Sequence, residues 1–307
     1  MASFTEAKWI WKDGDFIPWQ DAQLHLLSTA VQFGASVFEG IRCYKTPNGT
    51  AIFRLPEHIR RLQDSCKIYR MPLGHSAEKL TEVCRETVRR NGIESGYIRP
   101  MVLWGYGSPG LHPEGSPLET YVAAWSWGTY LGAEALANGV DVCTSSWQRA
   151  HPNTFPVSAK AGGHYVSATL MKMEAVINGY AEGIALSPSG LVSEGSGQNV
   201  FLVRNETLIT PFLDGSSLAG ITRDAVIALA RDLNIPVREQ PVPRESLYTA
   251  DELFFTGTAS EVTPIRSVDR TEVGSGSAGP ITRAIQSRFM DVAEGRIEDT
   301  HGWLTSV

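Results

Sequence analysis

Hydrophobic and polar positions along the chain follow two different periods in turn. Alternation over residues 8–19, KWIWKDGDFIPW, predicts a β-hairpin that turns at Asp13-Gly14, because both residues tolerate the positive φ of a tight turn. Apolar residues three or four positions apart predict helices over residues 55–70, 76–92, 164–180 and 281–295. This mixture of strands and helices predicts an α/β or α+β protein.

Two predicted strands carry polar residues within apolar runs. Residues 36–44, SVFEGIRCY, are expected to form one strand. Residues 96–107, GYIRPMVLWGYG, predict a buried strand on which Tyr97 and Arg99 point to the same face, because side chains alternate along a strand.

The predicted helices have recognisable ends and faces. Ser76 is expected to cap the helix that follows it. In the helix over residues 164–180, one face collects Val166, Leu170, Met173 and Ile177, and we expect the methionines of this helix in the protein core.

Length and composition narrow the class of protein. The 307 residues are 42% hydrophobic, which is enough for a sizeable core and for about two domains. We expect a first domain over residues 1–127, a linker over residues 128–137 and a second domain over residues 138–307. The net charge of −6 is spread along the chain without long runs, so neither nucleic acid nor an anionic membrane is an expected partner.

The cysteine and histidine patterns contain no disulfide or metal-binding motif. The four cysteines form no CxxC pair, the first residues lack a basic segment followed by an apolar core, and no apolar run approaches the ~20 residues that cross a bilayer. These features predict a cytoplasmic protein. The seven histidines show no HExxH spacing, so no metal is expected.

Lys160 is the first candidate for chemistry. It is the only formally charged residue between Arg149 and Lys172, and it is surrounded by alanine and glycine. Poor solvation favours the uncharged amine of a lysine, which attacks carbonyl groups and forms imines. The alternative is an ordinary surface lysine with its charged end in water.

Glu194 makes the chemical interpretation stronger. It is the only charged residue between Glu182 and Arg204, at the end of an apolar run, and an isolated carboxylate there needs a cationic partner. A lysine and a carboxylate in one cavity suit pyridoxal phosphate, because the lysine binds the aldehyde and the carboxylate keeps the pyridine nitrogen protonated. The alternative is a carboxylate that only caps the turn over residues 195–197.

A phosphate site is expected where a small-residue loop meets a helix. Gly220-Ile221-Thr222 precedes an apolar helical pattern, and backbone amides at a helix start bind anions. Thr222 as a simple helix cap is the alternative. The turn over residues 256–259 also offers backbone amides. The chain contains no GxxxxGK[ST] and no GxSxG motif, which argues against a P-loop protein and a serine hydrolase.

Six segments together resemble one known family. SVFEGIRCY, YIRP, KAGGHYVSA, LVSEGSGQNVF, GITRDAV and FFTGTASEVTPI, in this order, are similar to the bacterial branched-chain amino acid aminotransferases of the class IV pyridoxal-phosphate fold. The similarity extends over essentially the whole chain. It implies a fold type IV subunit with a small α/β N-terminal domain and a larger pseudo-barrel C-terminal domain. It also implies a homodimer or a higher homo-oligomer, with each active site between the domains.

The resemblance implies a role for each matching residue. Lys160 would bind pyridoxal 5'-phosphate covalently, Glu194 would pair with its pyridine nitrogen, and Tyr165 would bind its phenolic oxygen. The phosphate would be bound by Arg61, Ile221, Thr222 and Thr258. The substrate pocket would be formed by Phe38, Gly40, Tyr97, Arg99, Trp127, Thr258 and Ala259.

The substrate residues carry the specificity that the resemblance implies. The backbone amides of Thr258 and Ala259, with Tyr97, would receive the α-carboxylate, and Arg99 would receive the side-chain carboxylate of glutamate. One pocket must accept both apolar side chains and glutamate, and a bidentate guanidinium in an apolar wall suits that task. Phe33 stands where many bacterial members have tyrosine, so one hydroxyl contact is missing.

The expected reaction is amino transfer between L-leucine, L-isoleucine or L-valine and 2-oxoglutarate by a ping-pong route. Within the same fold the alternatives are a D-amino acid or (R)-amine transaminase and an aminodeoxychorismate lyase; Phe38-Glu39-Gly40 and Tyr97-Ile98-Arg99 favour the branched-chain reaction. Outside it, the alternatives are a non-catalytic pyridoxal-phosphate-binding protein and a cofactor-free lysine aldolase, which Glu194 argues against.

Overall fold

The chain folds into two compact units. The computed structural model describes residues 4–128 and 131–307. The first unit contains residues 4–128, 159–164 and 292–307, and the second contains residues 131–158 and 165–291. The chain therefore returns to the first unit for the short segment around Lys160 and again after residue 291. The expected division, with a linker over residues 128–137, assigns no later segment to the first domain. That division remains a prediction.

The first unit is an antiparallel sheet with two long helices. Its elements are β1 (Phe4–Thr5), β2 (Trp9–Lys12), β3 (Asp15–Pro18), α1 (Thr29–Phe33), β4 (Ser36–Phe38), β5 (Ile41–Thr46), β6 (Gly49–Phe53), α2 (Leu55–Ile68), α3 (Ala77–Arg90), β7 (Gly96–Trp104) and β8 (Leu118–Trp127). A later strand, β18 (Leu304–Ser306), completes it. The strand order is β18-β6-β5-β7-β8-β2-β3, with β1 paired to β8 and β4 to β7.

Local signals account for much of this unit. The predicted hairpin is confirmed: β2 and β3 pair in register from Trp9–Pro18 to Lys12–Asp15, and Asp13 at the turn has a φ of 47°. Ser76 caps α3, since its Oγ accepts a hydrogen bond of 3.2 Å from the Lys79 amide. The apolar faces of α2 and α3 pack with the sheet in one buried core that includes Leu62, Leu80 and Ile98.

The strand expected over residues 36–44 is interrupted, so that prediction is wrong in part. β4 ends at Phe38 and β5 begins at Ile41, and between them the Glu39 amide donates to the Pro100 carbonyl at 2.8 Å. A side chain at Gly40 would collide with the Tyr97 hydroxyl. The break brings backbone close to the Tyr97 ring and directs Glu39 into the interior, where it is fully buried.

The second unit is built on a mixed sheet. Its elements are α4 (Ala133–Asn138), β9 (Val140–Thr144), α5 (Tyr165–Ile177), β10 (Glu182–Leu186), β11 (Val192–Gly195), β12 (Asn199–Arg204), β13 (Thr207–Pro211), α6 (Ile221–Asp232), β14 (Val237–Gln240), α7 (Ser246–Thr249), β15 (Glu252–Gly257), β16 (Glu261–Val268), β17 (Thr271–Glu272) and α8 (Pro280–Ala293). The order is β11-β10-β9-β16-β15-β12-β13-β14, with β17 on β16. β9 runs parallel to β10 and β16, as β13 does to β14. Within residues 4–128 and 131–307, no helix has the length and apolar character needed to span a membrane.

α5 corrects the burial predicted for it. Its buried side chains are Ala168, Met171 and Ala175. The apolar face predicted from the sequence is instead on the surface, with exposed fractions of 67% for Val166, 37% for Leu170, 54% for Met173 and 79% for Ile177. The methionine prediction therefore holds for Met171 and is wrong for Met173. Helical periodicity identifies an apolar face but not the surface that covers it.

Candidate active site

Lys160 is held by its backbone in the first unit. Its amide donates to Ser65 Oγ on α2 at 3.0 Å, and its carbonyl accepts from the Phe38 amide at 3.0 Å. The next residue, Ala161, forms an antiparallel bridge with Val37 of β4. The lysine side chain is half-buried, with Nζ 5.1 Å from the centroid of the Phe38 ring. These backbone contacts fix the position of the main chain at Lys160.

The Phe38 ring that Lys160 approaches also lies close to Arg99. The Arg99 guanidinium is 4.5 Å from the Phe38 ring centroid and 5.4 Å from that of Tyr97. Within the described part of the chain, Arg99 Nε is buried without a hydrogen-bond partner. A buried cationic donor in this state is costly unless an anion meets it, which indicates a place for a carboxylate.

Trp127 extends this aromatic group. Its ring makes an edge contact with Tyr97 at 5.0 Å between centroids, and Tyr97 also packs against Trp125 at 5.3 Å. Phe33, at the end of α1, is 46% exposed. The predicted site residues that lie in the first unit are Phe38, Gly40, Arg61, Tyr97, Arg99, Trp127 and Lys160.

Arg61 is engaged by a carboxylate that the sequence analysis did not assign to the site. Its Nε and Nη2 donate to Glu39 Oε1 and Oε2 at 2.6 and 2.8 Å, and His58 Nδ1 lies 2.7 Å from Glu39 Oε2. His58 and Arg61 are three residues apart on α2, one turn before Ser65. Residues of α2 therefore contact both Glu39 and the Lys160 backbone.

Glu194 lies in the second unit within a buried polar network. Its Oε1 is 2.9 Å from Arg149 Nη2, and its Oε2 accepts from Asn199 Nδ2 at 3.3 Å and from the Leu218 amide at 3.2 Å. The residue is 5% exposed. Arg149 supplies the cationic partner that an isolated carboxylate was expected to need.

The same network reaches the start of α6. Asn199 Nδ2 also donates to the Leu218 carbonyl at 3.0 Å, and a side chain at Gly220 would collide with Asn199 Oδ1. Gly220 is the N-cap of α6 and provides no side-chain acceptor for the helix amides. The carboxylate of Glu194 and the amides at Ile221 and Thr222 are therefore ordered by one set of contacts.

The remaining predicted residues also lie in the second unit. Thr258 and Ala259 form the turn between β15 and β16, and both are half-buried. Thr222 is buried. Tyr165 begins α5 and packs against the cluster formed by Ala168, Met171 and Ala185. The sequence-predicted set is thus divided between the units, and each unit positions its members by its own contacts.

Sequence reasoning missed Glu39, His58, Arg149 and Asn199. A signal existed for two of them. Glu39 interrupts the apolar run VFEGI, as Lys160 and Glu194 interrupt theirs, and Arg149 is the nearest cation before the uncharged segment that contains Lys160. His58 and Asn199 gave no such signal, because polar residues on a helix or near a turn are common.

The side chains present fit pyridoxal phosphate chemically. A primary amine at Lys160 suits the aldehyde, a buried carboxylate at Glu194 suits a protonated pyridine nitrogen, and the helix start at Ile221-Thr222 suits a phosphate. Among residues 4–128 and 131–307, no group of three or more His, Cys, Asp or Glu side chains is arranged to bind a metal ion.

Comparison with known proteins agrees with this chemistry. Residues 36–268 match the model of the family described as amino-transferase class IV. The chain belongs to the class IV aminotransferases. It is 50% identical over 303 residues to the branched-chain-amino-acid aminotransferase of Escherichia coli strain K12, a match that spans 98% of both chains.

Solved structures of this class have the same fold. The crystal structure of the Escherichia coli branched-chain amino acid aminotransferase matches with a TM-score of 0.96 over 98% of this chain and 99% of the other, at 50% identity. The branched-chain amino acid aminotransferase from Thermobaculum terrenum, in its PLP-form, matches at 0.90 and 35% identity over 98% of both chains. The predicted fold class, a mixed α/β chain of fold type IV, is confirmed.

Proposed function

We propose that this class IV aminotransferase transfers the amino group between L-leucine, L-isoleucine or L-valine and 2-oxoglutarate, with pyridoxal 5'-phosphate as cofactor. The observation that carries the proposal is the group around Phe38, where the Lys160 amine and the Arg99 guanidinium both lie within about 5 Å of one aromatic ring. A reactive amine and a carboxylate receptor in an aromatic setting suit an amino acid substrate. The names of similar proteins, which are branched-chain-amino-acid aminotransferases, support the substrate class.

In this proposal the predicted cofactor residues bind different parts of pyridoxal phosphate. Lys160 binds the cofactor covalently, Glu194 pairs with its pyridine nitrogen and Tyr165 donates to its phenolic oxygen. Arg61, Ile221, Thr222 and Thr258 bind its phosphate. Bound pyridoxal phosphate supplies an aldehyde that condenses with amines and a ring that accepts the electron pair from the substrate Cα.

The side chains of the protein carry out the proton transfers. As a free amine, Lys160 Nζ would take the proton from the substrate Cα and deliver it to C4′ of the cofactor. Its backbone remains fixed by Ser65 and Phe38, so only the flexible stem moves. Glu194, whose Oε1 lies 2.9 Å from Arg149 Nη2, would stabilise a positive charge on the ring nitrogen.

Substrate recognition divides between apolar and cationic groups. The apolar wall that receives a branched side chain is formed by Phe38, Gly40, Tyr97 and Trp127. Tyr97 and the backbone amides of Thr258 and Ala259 receive the α-carboxylate. Arg99 binds the second carboxylate of glutamate, which would supply the hydrogen-bond partner that its buried Nε lacks among the described residues.

The absorption spectrum of the purified protein tests the proposed function. We expect an imine band that converts to the pyridoxamine band when L-leucine is added without any oxo acid. If the band does not change with L-leucine but changes with D-amino acids or (R)-amines, the protein is instead a D-amino acid or (R)-amine transaminase of the same fold. If no cofactor band forms even after pyridoxal phosphate is supplied, the proposal is wrong.

Arg99 provides a test of dual substrate recognition. Arg99→Leu should lower kcat/KM for L-glutamate by about 100-fold, because a charge-assisted bidentate contact is lost, and should change that for L-leucine by less than about threefold. Arg99→Lys keeps the charge without the planar fork, so we expect an intermediate loss. Single-turnover spectroscopy with each amino acid measures both values. Equal losses for the two substrates would contradict the assignment.

We also propose that the protein acts as a homodimer or a higher homo-oligomer. Contiguous apolar surface is typical of protein interfaces, and the outward face of α5 supports the proposal for this reason. That face consists of Val166, Leu170, Met173, Val176 and Ile177. The four buried free cysteines are consistent with a reducing compartment, and we propose that the protein acts in the cytoplasm.

Sedimentation of a variant tests the α5 face. Met173→Glu places a charge in this face and should convert an oligomer into smaller species at micromolar protein concentration. Ala284→Glu makes the matched change at an exposed position of α8 and should sediment as the unmodified protein does. If both variants keep the original sedimentation coefficient, α5 does not form the interface.

A further inference from the structure

Glu39 is an unusual residue in the first unit because it is a charged side chain with no exposed surface. It lies at the break between β4 and β5, immediately after Phe38. Its two oxygens accept from Arg61 Nε and Nη2 and contact His58 Nδ1, at 2.6, 2.8 and 2.7 Å. Complete burial means that Glu39 does not reach a substrate, so its effects must pass through these two neighbours.

The protonation states of this group follow from burial and charge. Burial alone would raise the pKa of Glu39, but the Arg61 guanidinium and then His58 lower that pKa to well below its ordinary range. Burial has the largest influence on His58 and lowers its pKa. Arg61 and Lys160 also lower this pKa, whereas Glu39 raises it. We therefore assign a carboxylate at Glu39 and a neutral His58 whose Nδ1 donates to it.

The geometry of the ion pair defines the direction of Arg61. A carboxylate that accepts hydrogen bonds from both Nε and Nη2 fixes the plane of the guanidinium, because rotation of the guanidinium would break at least one of the two bonds. The direction of the Nη1 side then depends on Glu39. His58 in turn limits the position of Glu39, since it bonds the same oxygen as Arg61 Nη2.

We propose that Glu39, supported by His58, is a positioning residue that orients Arg61 for the phosphate of the cofactor. The inference rests on the proposed function, in which Arg61 binds that phosphate. The two hydrogen bonds to Glu39 order the Arg61 side chain before the phosphate arrives. Order of this kind lowers the entropy lost on binding and makes the site selective for a phosphorylated cofactor.

A comparison of two probes tests this inference without measuring catalysis. The apoprotein is titrated with pyridoxal 5'-phosphate and with pyridoxal, which lacks the phosphate. For Glu39→Gln we expect the affinity for pyridoxal 5'-phosphate to fall by about tenfold or more, and that for pyridoxal to change by less than about threefold. A purely structural role of Glu39 would weaken both probes equally, and that result would overturn the inference.

A double-variant cycle shows whether Glu39 acts through Arg61. Arg61→Gln alone should reduce the preference for the phosphorylated probe, and adding Glu39→Gln should then change it by less than about twofold. If the losses of preference in the two single variants add fully in the double variant, Glu39 does not act through Arg61. If Glu39→Gln does not fold, Glu39→Asp keeps the charge with a shorter reach, and it should lose part of the same preference.

Glu57→Gln is the matched control. Glu57 also pairs with an arginine at α2, since its Oε1 is 2.8 Å from Arg54 Nε, but it lies partly on the surface. We expect this variant to bind both probes as the unmodified protein does. If the unmodified protein itself binds pyridoxal 5'-phosphate no better than pyridoxal, the proposed function fails. If that preference is present and Glu39→Gln keeps it, only the inference fails.

Discussion

Replacing Lys160 by alanine should lower the transamination rate with L-leucine and 2-oxoglutarate by at least about 10⁴-fold, because the covalent link to the cofactor and the group that moves the Cα proton are lost together. The fold should persist. The contacts to Ser65 and Phe38 use the backbone of residue 160, and alanine keeps them. Steady-state turnover and thermal unfolding of the same preparation measure the two properties.

Lys67→Ala is the control for this variant. Lys67 is exposed on α2, the helix that also binds the Lys160 amide, so its loss tests the general effect of removing a cation nearby in the fold. We expect its turnover to remain within about twofold of the unmodified value, because exposed charges contribute little. Sustained multiple turnover by Lys160→Ala would exclude Lys160 as the cofactor-binding lysine.

Replacing Glu194 by glutamine should lower kcat by about 10²- to 10³-fold and cofactor affinity by less than about tenfold. The larger loss in rate is expected because the carboxylate stabilises charge on the ring mainly while the Cα proton is being transferred. Glutamine has nearly the same shape and retains one oxygen that can accept from Asn199 or Leu218, although its amide group is a poor partner for Arg149. Rate and affinity are measured by single-turnover absorbance and by equilibrium titration.

Glu182→Gln is the matched control for Glu194. Glu182 is a fully buried carboxylate of the same unit, 3.2 Å from Lys172 Nζ and 3.1 Å from Gln198 Nε2. Its replacement should lower the free energy of unfolding, because it weakens a buried ion pair, without a selective loss in kcat. An unchanged rate in Glu194→Gln would argue that this carboxylate does not support the electron-accepting ring.

Features that depend on neighbouring residues were predictable from the sequence. The Asp13-Gly14 hairpin and the Ser76 cap both form as expected, since each depends on backbone preferences within a few residues. The apolar helical pattern after Gly220 was also predictable: Val226, Leu229 and Ala230 of α6 are buried, and Leu233 at its end is half-buried. These elements need no information about distant parts of the chain.

Features that depend on distant contacts were harder to predict. The strand expected over residues 36–44 breaks at Glu39, where Arg61 and His58, on another element, supply partners for a buried carboxylate. The apolar stripe of α5 has the period of a core helix, yet Met173 and Ile177 are exposed in the single chain. Periodicity is the same for a stripe that faces a core and for one that faces another subunit.

The sequence by itself determined the kind of chemistry this protein performs. Lys160 and Glu194 are the candidates for this chemistry because each is the only charged residue in a long uncharged segment, and a charge that is buried there needs a partner. Only the tertiary structure decided which groups surround them. It placed residues 159–164 in the first unit against β4 and α2, and it paired Glu194 with Arg149 in the second. Hydrogen bonds between residues far apart in the chain depend on the strand order and connections of the sheets, which no local sequence pattern determines.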